Sequence, residues 1–222
     1  MKISVLTLFP GMFQGPFDHS IIKRAIEDKK LEIEYINIRD FGIGKHKIVD
    51  DRPYGGGKGM ILKVDILKKA LDKAINKSIK KSERKIILLS AKGKTYNQEE
   101  AKQLSKLKHL IIICGHYEGV DERIINYIDE DVSIGDFILT GGEIAAFSII
   151  DSVSRLVPGV LDKVATSDES FSKKNILEYP QYTRPEIYEG KKVPKVLLKG
   201  DHAKIIEWKE KNKTFKKDLP KQ

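Results

Sequence analysis

Along the first two-thirds of the chain, apolar positions alternate between two rhythms: short continuous or every-second runs, and longer stretches with side chains three and four apart. The first rhythm predicts strands at Ile3–Phe9, at Leu31–Ile38 where apolar and polar residues alternate, and at Lys85–Ser90. The run "HLIIICG" reads as a strand buried on both faces, the habit of a parallel sheet, and "DVSIGDFILTGGE" as a strand with bends. The second rhythm predicts a helix in "DHSIIKRAIEDKK", capped by Asp18 or Ser20, with Ile21, Ile22, Ala25 and Ile26 on one face. It predicts another in "VDILKKALDKAINK", after a capping Asp65, with Ile66, Leu67, Ala70, Leu71, Ala74 and Ile75 inward. A third opens at Asn97 with Glu100 three residues on, "DERIINYID" is a short fourth, and "EIAAFSIIDSVSRL" is mostly buried and stopped by Pro158-Gly159. Strands and helices in alternation predict an α/β fold built on a parallel sheet.

After Gly159 the rhythm stops. "DKVATSDESFSKKN" is polar and aperiodic and reads as a linker or mobile loop, "YPQYTRP" as stiff and aromatic. A basic helix follows from near Asp201, anchored by Ile205, Ile206 and Trp208. The expected organisation is a domain over residues 1–160, a linker over 161–175, and a small, mainly helical, basic domain over 176–222.

Composition refines this picture in one respect. The 222 residues carry a net charge of +9, but the segment from Gly190 onward has 11 Lys against 4 acids. A basic tail on a nearly neutral body is the distribution of a protein that meets a polyanion, although solvated lysines alone produce it too. With one cysteine, Cys114, no internal disulfide forms, and no residues are assigned as metal ligands. No apolar run reaches the length of a membrane helix, and the opening "MKISVLTLFPGMF" lacks the small-residue site of a signal peptide, so the expected location is cytoplasmic, away from membranes.

The candidate chemistry lies in glycine-rich segments. "RPYGGGKGM" misses the phosphate-loop spacing because Lys58 is followed by Gly59, and no dinucleotide fingerprint follows the first strand. "SIGDFILTGGE" has no lysine to meet a phosphate. Tight turns explain each loop taken alone. Taken together, "SAKGK", "CGHYEG" and "SIGDFILTGGE" each follow a buried strand, and ligands of open α/β sheets bind outside the carboxyl ends of strands. Backbone amides and carbonyls there suit a purine ring, with Gly115, Gly141 and Gly142 leaving room for it.

The segments "DDRPYGGGKGM", "CGHYEGVDER", "SIGDFILTGGE", "RLVPGVL" and "YPQYTRP", in this order and with the opening "MKISVLTLFPGMF", closely resemble those of the bacterial tRNA (guanine-N1)-methyltransferases, the TrmD family. The resemblance covers essentially the whole chain. It implies S-adenosyl-L-methionine-dependent methylation of N1 of the guanosine at tRNA position 37, a SPOUT domain tied into a C-terminal trefoil knot, and a homodimer. Mg²⁺ enters from the resemblance alone and is assigned to no residue.

The resemblance also implies roles. Leu88, Leu89, Ser90, Gly115, Tyr117, Glu118, Ile134, Gly135, Asp136, Phe137, Ile138, Leu139, Gly141 and Gly142 would contact the cofactor, although Ala91 and Lys92 replace the proline and glutamine common there. Arg155, in "RLVPGVL", would stabilise the guanine O6, and a linker carboxylate would take the N1 proton. Where the family usually has Asp-Ser-Phe, this chain reads Asp168-Glu169-Ser170-Phe171, so Glu169 holds the base position and Asp168 stands one residue away. Asp51, Arg52, Gly57 and Arg184 would face the RNA, and Gln181 stands where histidine is common. Two other readings stay open at this point: a related methyltransferase acting on ribosomal RNA, and an RNA-binding module without catalysis.

Overall fold

The computed structural model describes residues 1–215, apart from the side chain of Lys163. The chain divides into two compact units, one over Met1–Leu161 and one starting at Asp162.

In the first unit, strands β1 (Lys2–Thr7) and β2 (Glu32–Asn37) flank helix α1 (Ser20–Glu27), and a two-residue ribbon of β3 (Asp50–Asp51) and β4 (Ile61–Leu62) follows. Then come helix α2 (Val64–Ala74), strand β5 (Arg84–Thr95), helix α3 (Gln98–Leu104), strand β6 (His109–Cys114), strand β7 (Glu130–Ser133) and helix α4 (Glu143–Ser154). Five of these strands form one sheet in the order β2-β1-β6-β5-β7, parallel at every pairing.

Burial explains why the runs are continuous rather than alternating. All six residues of β6 are buried, as are five of β1, because helices cover both faces of the sheet. Ile3, Val5, Leu110 and Ile112 pack under α1 and α4, whose contribution includes Ile22, Ala25, Ala146, Ile149 and Ile150. Leu6, Ile111, Ile113 and Leu88 pack on the other side with Ile66, Leu67, Ala70 and Leu71 of α2. At roughly 25 cal/mol per Å² of apolar area, these two layers are the main stabilising contribution.

Several helix starts and ends differ from the expectation. The N-cap of α1 is His19, without a side-chain cap, while Asp18 accepts instead from Gly15 N at 2.9 Å. The cap of α2 is Lys63, and Asp65 lies inside the first turn, where the helix dipole still favours it. Asn97 caps α3, accepting from Glu99 N and Glu100 N, but the Glu100 carboxylate is ion-paired with Lys94. Strand β5 does not stop at Ser90: it runs on through the expected loop "SAKGK", with a register shift between Leu89 and Lys94 against β7. Gly93 makes this continuation feasible, since a Cβ there would collide with the backbone of Val132.

The second unit is not a bare linker followed by helices. Asp162 caps a short helix α5 (Lys163–Ser167), accepting from Val164 N at 3.0 Å. Strand β8 (Ile176–Leu177) pairs antiparallel with β11 (Thr214–Phe215), and β9 (Ile187–Tyr188) with β10 (Lys191–Lys192). Helices α6 (Lys195–Leu198) and α7 (His202–Lys211) complete it, with Asp201 capping α7 through Lys204 N. Trp208 sits against Tyr179 and Tyr182, with ring centroids 6.3 Å away in each case, while Ile206 is exposed. Lys216, Lys217 and Lys221 of the basic tail lie outside the described residues.

Candidate functional site

A cavity of about 310 Å³ opens at the carboxyl ends of β6 and β7 and against the middle of β5. Its walls are Leu88 to Lys92 of β5, the turn after β6 from Gly115 to Val120, and residues of the bend after β7 between Ser133 and Gly142. The residues assigned to the cofactor from the sequence all line it except Asp136, which is solvent-exposed. The sheet order explains the convergence: β5 lies between β6 and β7, so the turns leaving those two strands flank the middle of β5.

Glycines set how closely the loops approach. A Cβ on Gly142 would lie 2.7 Å from Cys114 Cα, and the Gly142 amide donates to Gly115 O at 2.9 Å. Gly135 lets the Phe137 ring fold over the backbone, where Ser133 Oγ donates to Gly135 O at 3.0 Å. Tyr117 takes a left-handed conformation, φ 61°, which is costly for a residue with a side chain and aims it along the rim.

The "RPYGGGKGM" segment joins this site. It is the loop of the β3–β4 ribbon and is stitched to the turn after β6: Glu118 N donates to Met60 O, Leu62 N to Gly119 O, and Asp121 N to Leu62 O. Gly55, Gly56, Gly57 and Gly59 all have positive φ, and a Cβ on Gly59 would strike the Glu118 side chain. Asp51 and Arg52 are exposed there; Asp51 accepts from the Arg52 amide at 2.8 Å and lies 3.7 Å from Lys63 Nζ. Arg39 donates to the Tyr117 hydroxyl at 3.3 Å.

The lining is acidic. Glu118, Glu122 and Asp131 stand against a single lysine, Lys92, and partial burial together with the Glu122 charge pushes the Asp131 carboxyl above its usual range. Such a pocket favours a cationic ligand over a phosphate. Beneath it lies a group that sequence reading missed: Glu143, 1 % exposed, meets His116 Nε2 at 2.7 Å and accepts from Thr7 Oγ1 at 2.6 Å. The only signals were a histidine inside "CGHYEG" and a glutamate opening a helix, each with an ordinary local explanation.

The remaining assigned residues fall elsewhere. Arg155 is the half-buried C-cap of α4, where the helix dipole favours a cation. In the second unit, Asp168 accepts from Lys213 Nζ at 2.7 Å, and that hydrogen bond holds its carboxyl below the usual range. Glu169 is half-buried in a turn closed by Ser172 N to Glu169 O, Phe171 N to Ile176 O and Glu178 N to Ser170 Oγ. Arg184 is exposed, and Gln181 donates to Glu178 at 2.9 Å.

A parallel α/β sheet with a glycine-walled, acidic pocket over three adjacent strands is the architecture of a small-ligand-binding α/β protein whose pocket offers backbone groups and bare turns rather than a phosphate cradle. Residues 1–221 match the family described as tRNA (Guanine-1)-methyltransferase TrmD, and the chain belongs to that family. A tRNA (guanine-N(1)-)-methyltransferase of Clostridium novyi is 53% identical over 227 residues, spanning 100% of this chain and 92% of that protein. One of Carboxydothermus hydrogenoformans is 54% identical over 95% of this chain and 82% of its own length, and one of Clostridium beijerinckii 51% identical over 94% and 85%.

Proposed function

We propose that the protein transfers a methyl group from S-adenosyl-L-methionine to N1 of the guanosine at position 37 of tRNA. The observation that carries this reading is the pocket itself: the residues that family membership would give the cofactor come together, with one exception, around a cavity whose acidic walls suit a sulfonium cation. Gly115, Gly141 and Gly142 line the same cavity and let its walls close on one another, Gly141 onto His116 and Gly142 onto Cys114.

Bound S-adenosyl-L-methionine supplies an electrophilic methyl carbon whose bond electrons leave with sulfur. The protein's work is the rest. Guanine N1 carries a proton at neutral pH and must lose it to attack, which calls for a general base. Glu169 takes that part; Asp168, engaged by Lys213 and made less basic by it, is the weaker alternative. As the proton leaves, charge builds on the guanine O6, and Arg155 offsets it. Holding both partners in line supplies a further reduction of the barrier, of about 7 kcal/mol or more in well-oriented systems. Asp51, Arg52 and Gly57 of the ribbon loop, with Arg184 and the lysines after Gly190, hold the RNA.

On the same reading the loops after β6 and β7 pass through one another as the SPOUT trefoil knot, the enzyme works as a homodimer in the cytoplasm, and residues 176–222 form its basic RNA-binding domain. Mg²⁺, if used, has no ligand group here: no set of three or more metal-binding side chains exists among the described residues. No helix among the described residues is long and apolar enough to cross a membrane.

The test is methylation of paired tRNA transcripts that differ only in having guanosine or adenosine at position 37, with labelled methyl donor. Transfer to the guanosine transcript alone, located at N1, is the expected result. Equal transfer to both, or to neither, would overturn the reading.

A further inference from the structure

We propose that Glu143 is a positioning residue for the methyl donor, acting through His116 to fix two of the three pocket loops relative to each other; this rests on the cofactor reading of the pocket given above. Glu143 does not line the cavity, whereas His116 and Gly141 do. It is the first residue of α4 and has both carboxylate oxygens engaged, Oε1 by the Thr7 hydroxyl at 2.6 Å and Oε2 by His116 Nε2 at 2.7 Å. Three separate pieces of chain meet on this one side chain: the end of β1, the turn after β6 and the start of α4.

Stability alone does not call for a carboxylate here. Burying one is costly unless it is fully hydrogen-bonded, and an apolar residue of that volume commonly serves as well. What the carboxylate adds is direction. Because Oε2 can only accept, Nε2 of His116 carries the proton, and the ring is held in one tautomer and one orientation. Phe9 presses on that ring with centroids 4.9 Å apart, and its amide donates to Thr7 Oγ1 at 2.9 Å, which fixes the hydroxyl in turn.

Gly141 completes the device. A Cβ there would lie 2.6 Å from Glu143 Oε2 and collide with the His116 ring, so the backbone after β7 rests directly on the hydrogen-bonded pair. His116 is followed at once by Tyr117, in its left-handed conformation, and by Glu118 on the rim. A shift of the imidazole therefore displaces the turn that carries Tyr117 and, with it, the surface offered to the donor, while the ribbon loop and the second unit contain no member of the triad.

Four single variants test this: E143Q, T7V, H116L and H116Q. E143Q replaces one of the two acceptor oxygens with an amide donor, so that Thr7 and His116 can no longer both donate to it, T7V removes one partner at nearly constant volume, and H116L removes the other. H116Q keeps an N–H donor near the place of Nε2. Titration calorimetry with S-adenosyl-L-methionine should show binding weakened about tenfold to hundredfold for E143Q and H116L. T7V should show a smaller loss in the same direction. H116Q should stay close to the wild type, and the losses of donor affinity should not track the melting temperatures of the variants.

Wild-type donor affinity in E143Q, T7V and H116L would overturn the proposal. So would equal losses in H116L and H116Q, or losses of donor affinity that follow the fall in melting temperature across the four variants, since both describe general loosening. Should E143Q not fold, as judged by its thermal melt, the comparison of T7V and of H116L with H116Q decides alone. Failure of the wild type to bind the donor would instead overturn the reading of the pocket, a separately visible result.

Discussion

Gly142 packs against the Cα of Cys114 with no room for a methyl group, and it is the position where one atom should matter most. G142A would place that atom 2.7 Å from backbone, which cannot rotate away. Donor affinity should fall by about tenfold or more, consistent with overpacking costs of about 1–3 kcal/mol, and calorimetry reads this directly. The proposed general base gives a second test. E169Q should lower the single-turnover methylation rate at least about a hundredfold, while D168N, which removes one of the two acids that hold Lys213, should change it little; equal mild losses would remove both from the role. A third concerns His109, fully buried at the amino-terminal end of the central strand β6, where burial and the charges of Lys2 and Arg84 push its pKa down to about 4. The unfolded imidazole takes its proton near 6.5, so between about 6.5 and 4 the unfolded chain binds more protons than the folded one. Stability should fall as pH drops through that window, by on the order of 3 kcal/mol in full, and urea unfolding at pH 7 and pH 5 should show a decline that H109Q flattens. At this scale the glycines after β6 and β7 were legible, since bare turns following buried strands have few uses, whereas "SAKGK" belongs to strand β5 and not to a loop. The Thr7–Glu143–His116 triad was not, because Thr7 and Glu143 are 136 residues apart in the chain and only the sheet brings them together.

Elements announced themselves in proportion to how much apolar surface they bury. β1, β6 and α2 are continuous or periodic enough that tertiary packing and local pattern agree. The distal half of β5 is different. "SAKGKT" has no apolar residue beyond Ala91, and only pairing with β7 across a register shift keeps it extended. Helix α5 was invisible because five residues are too few for a period of 3.6 to show, and its cap, Asp162, reads equally well as a polar linker residue. The misplaced caps of α1 and α2 have one cause: an acid near a helix start is favoured by the dipole whether or not it accepts from a backbone amide. The crossing of β5 over β7 yields a prediction of its own. In G93V the added methyl groups meet the Val132 backbone, so the strands must separate at the pocket's edge. A loss of about 1–3 kcal/mol in chemical unfolding is expected, together with weaker donor binding, because Leu88 to Lys92 form one wall.

For the molecule as a whole, charge is distributed by task. The pocket of the first unit is acidic, whereas lysines crowd the chain after Gly190, with Lys191, Lys192, Lys195 and Lys199 all exposed. If Lys191 and Lys192 neutralise phosphates, replacing both with Gln should reduce the slope of log affinity for tRNA against log salt by about 0.7–0.9 for each phosphate left without its lysine. An unchanged slope would mark them as merely solvated. Filter binding between 50 and 200 mM salt is sufficient to measure this.

The order of strands in the sheet also differs from their order of synthesis, and this matters on the ribosome. β1 and β2 can pair as soon as α1 has closed behind them. β5 cannot, for both its neighbours, β6 and β7, are made after it. At about 5–20 residues per second, the apolar stretch Ile86–Leu89 waits for about 1–4 s before β6 emerges to cover its edge. While α3 is the last element to have emerged, that stretch is open to whatever else is in reach, so the interval in which the segment between Thr95 and His109 emerges is the one a chaperone has most to protect.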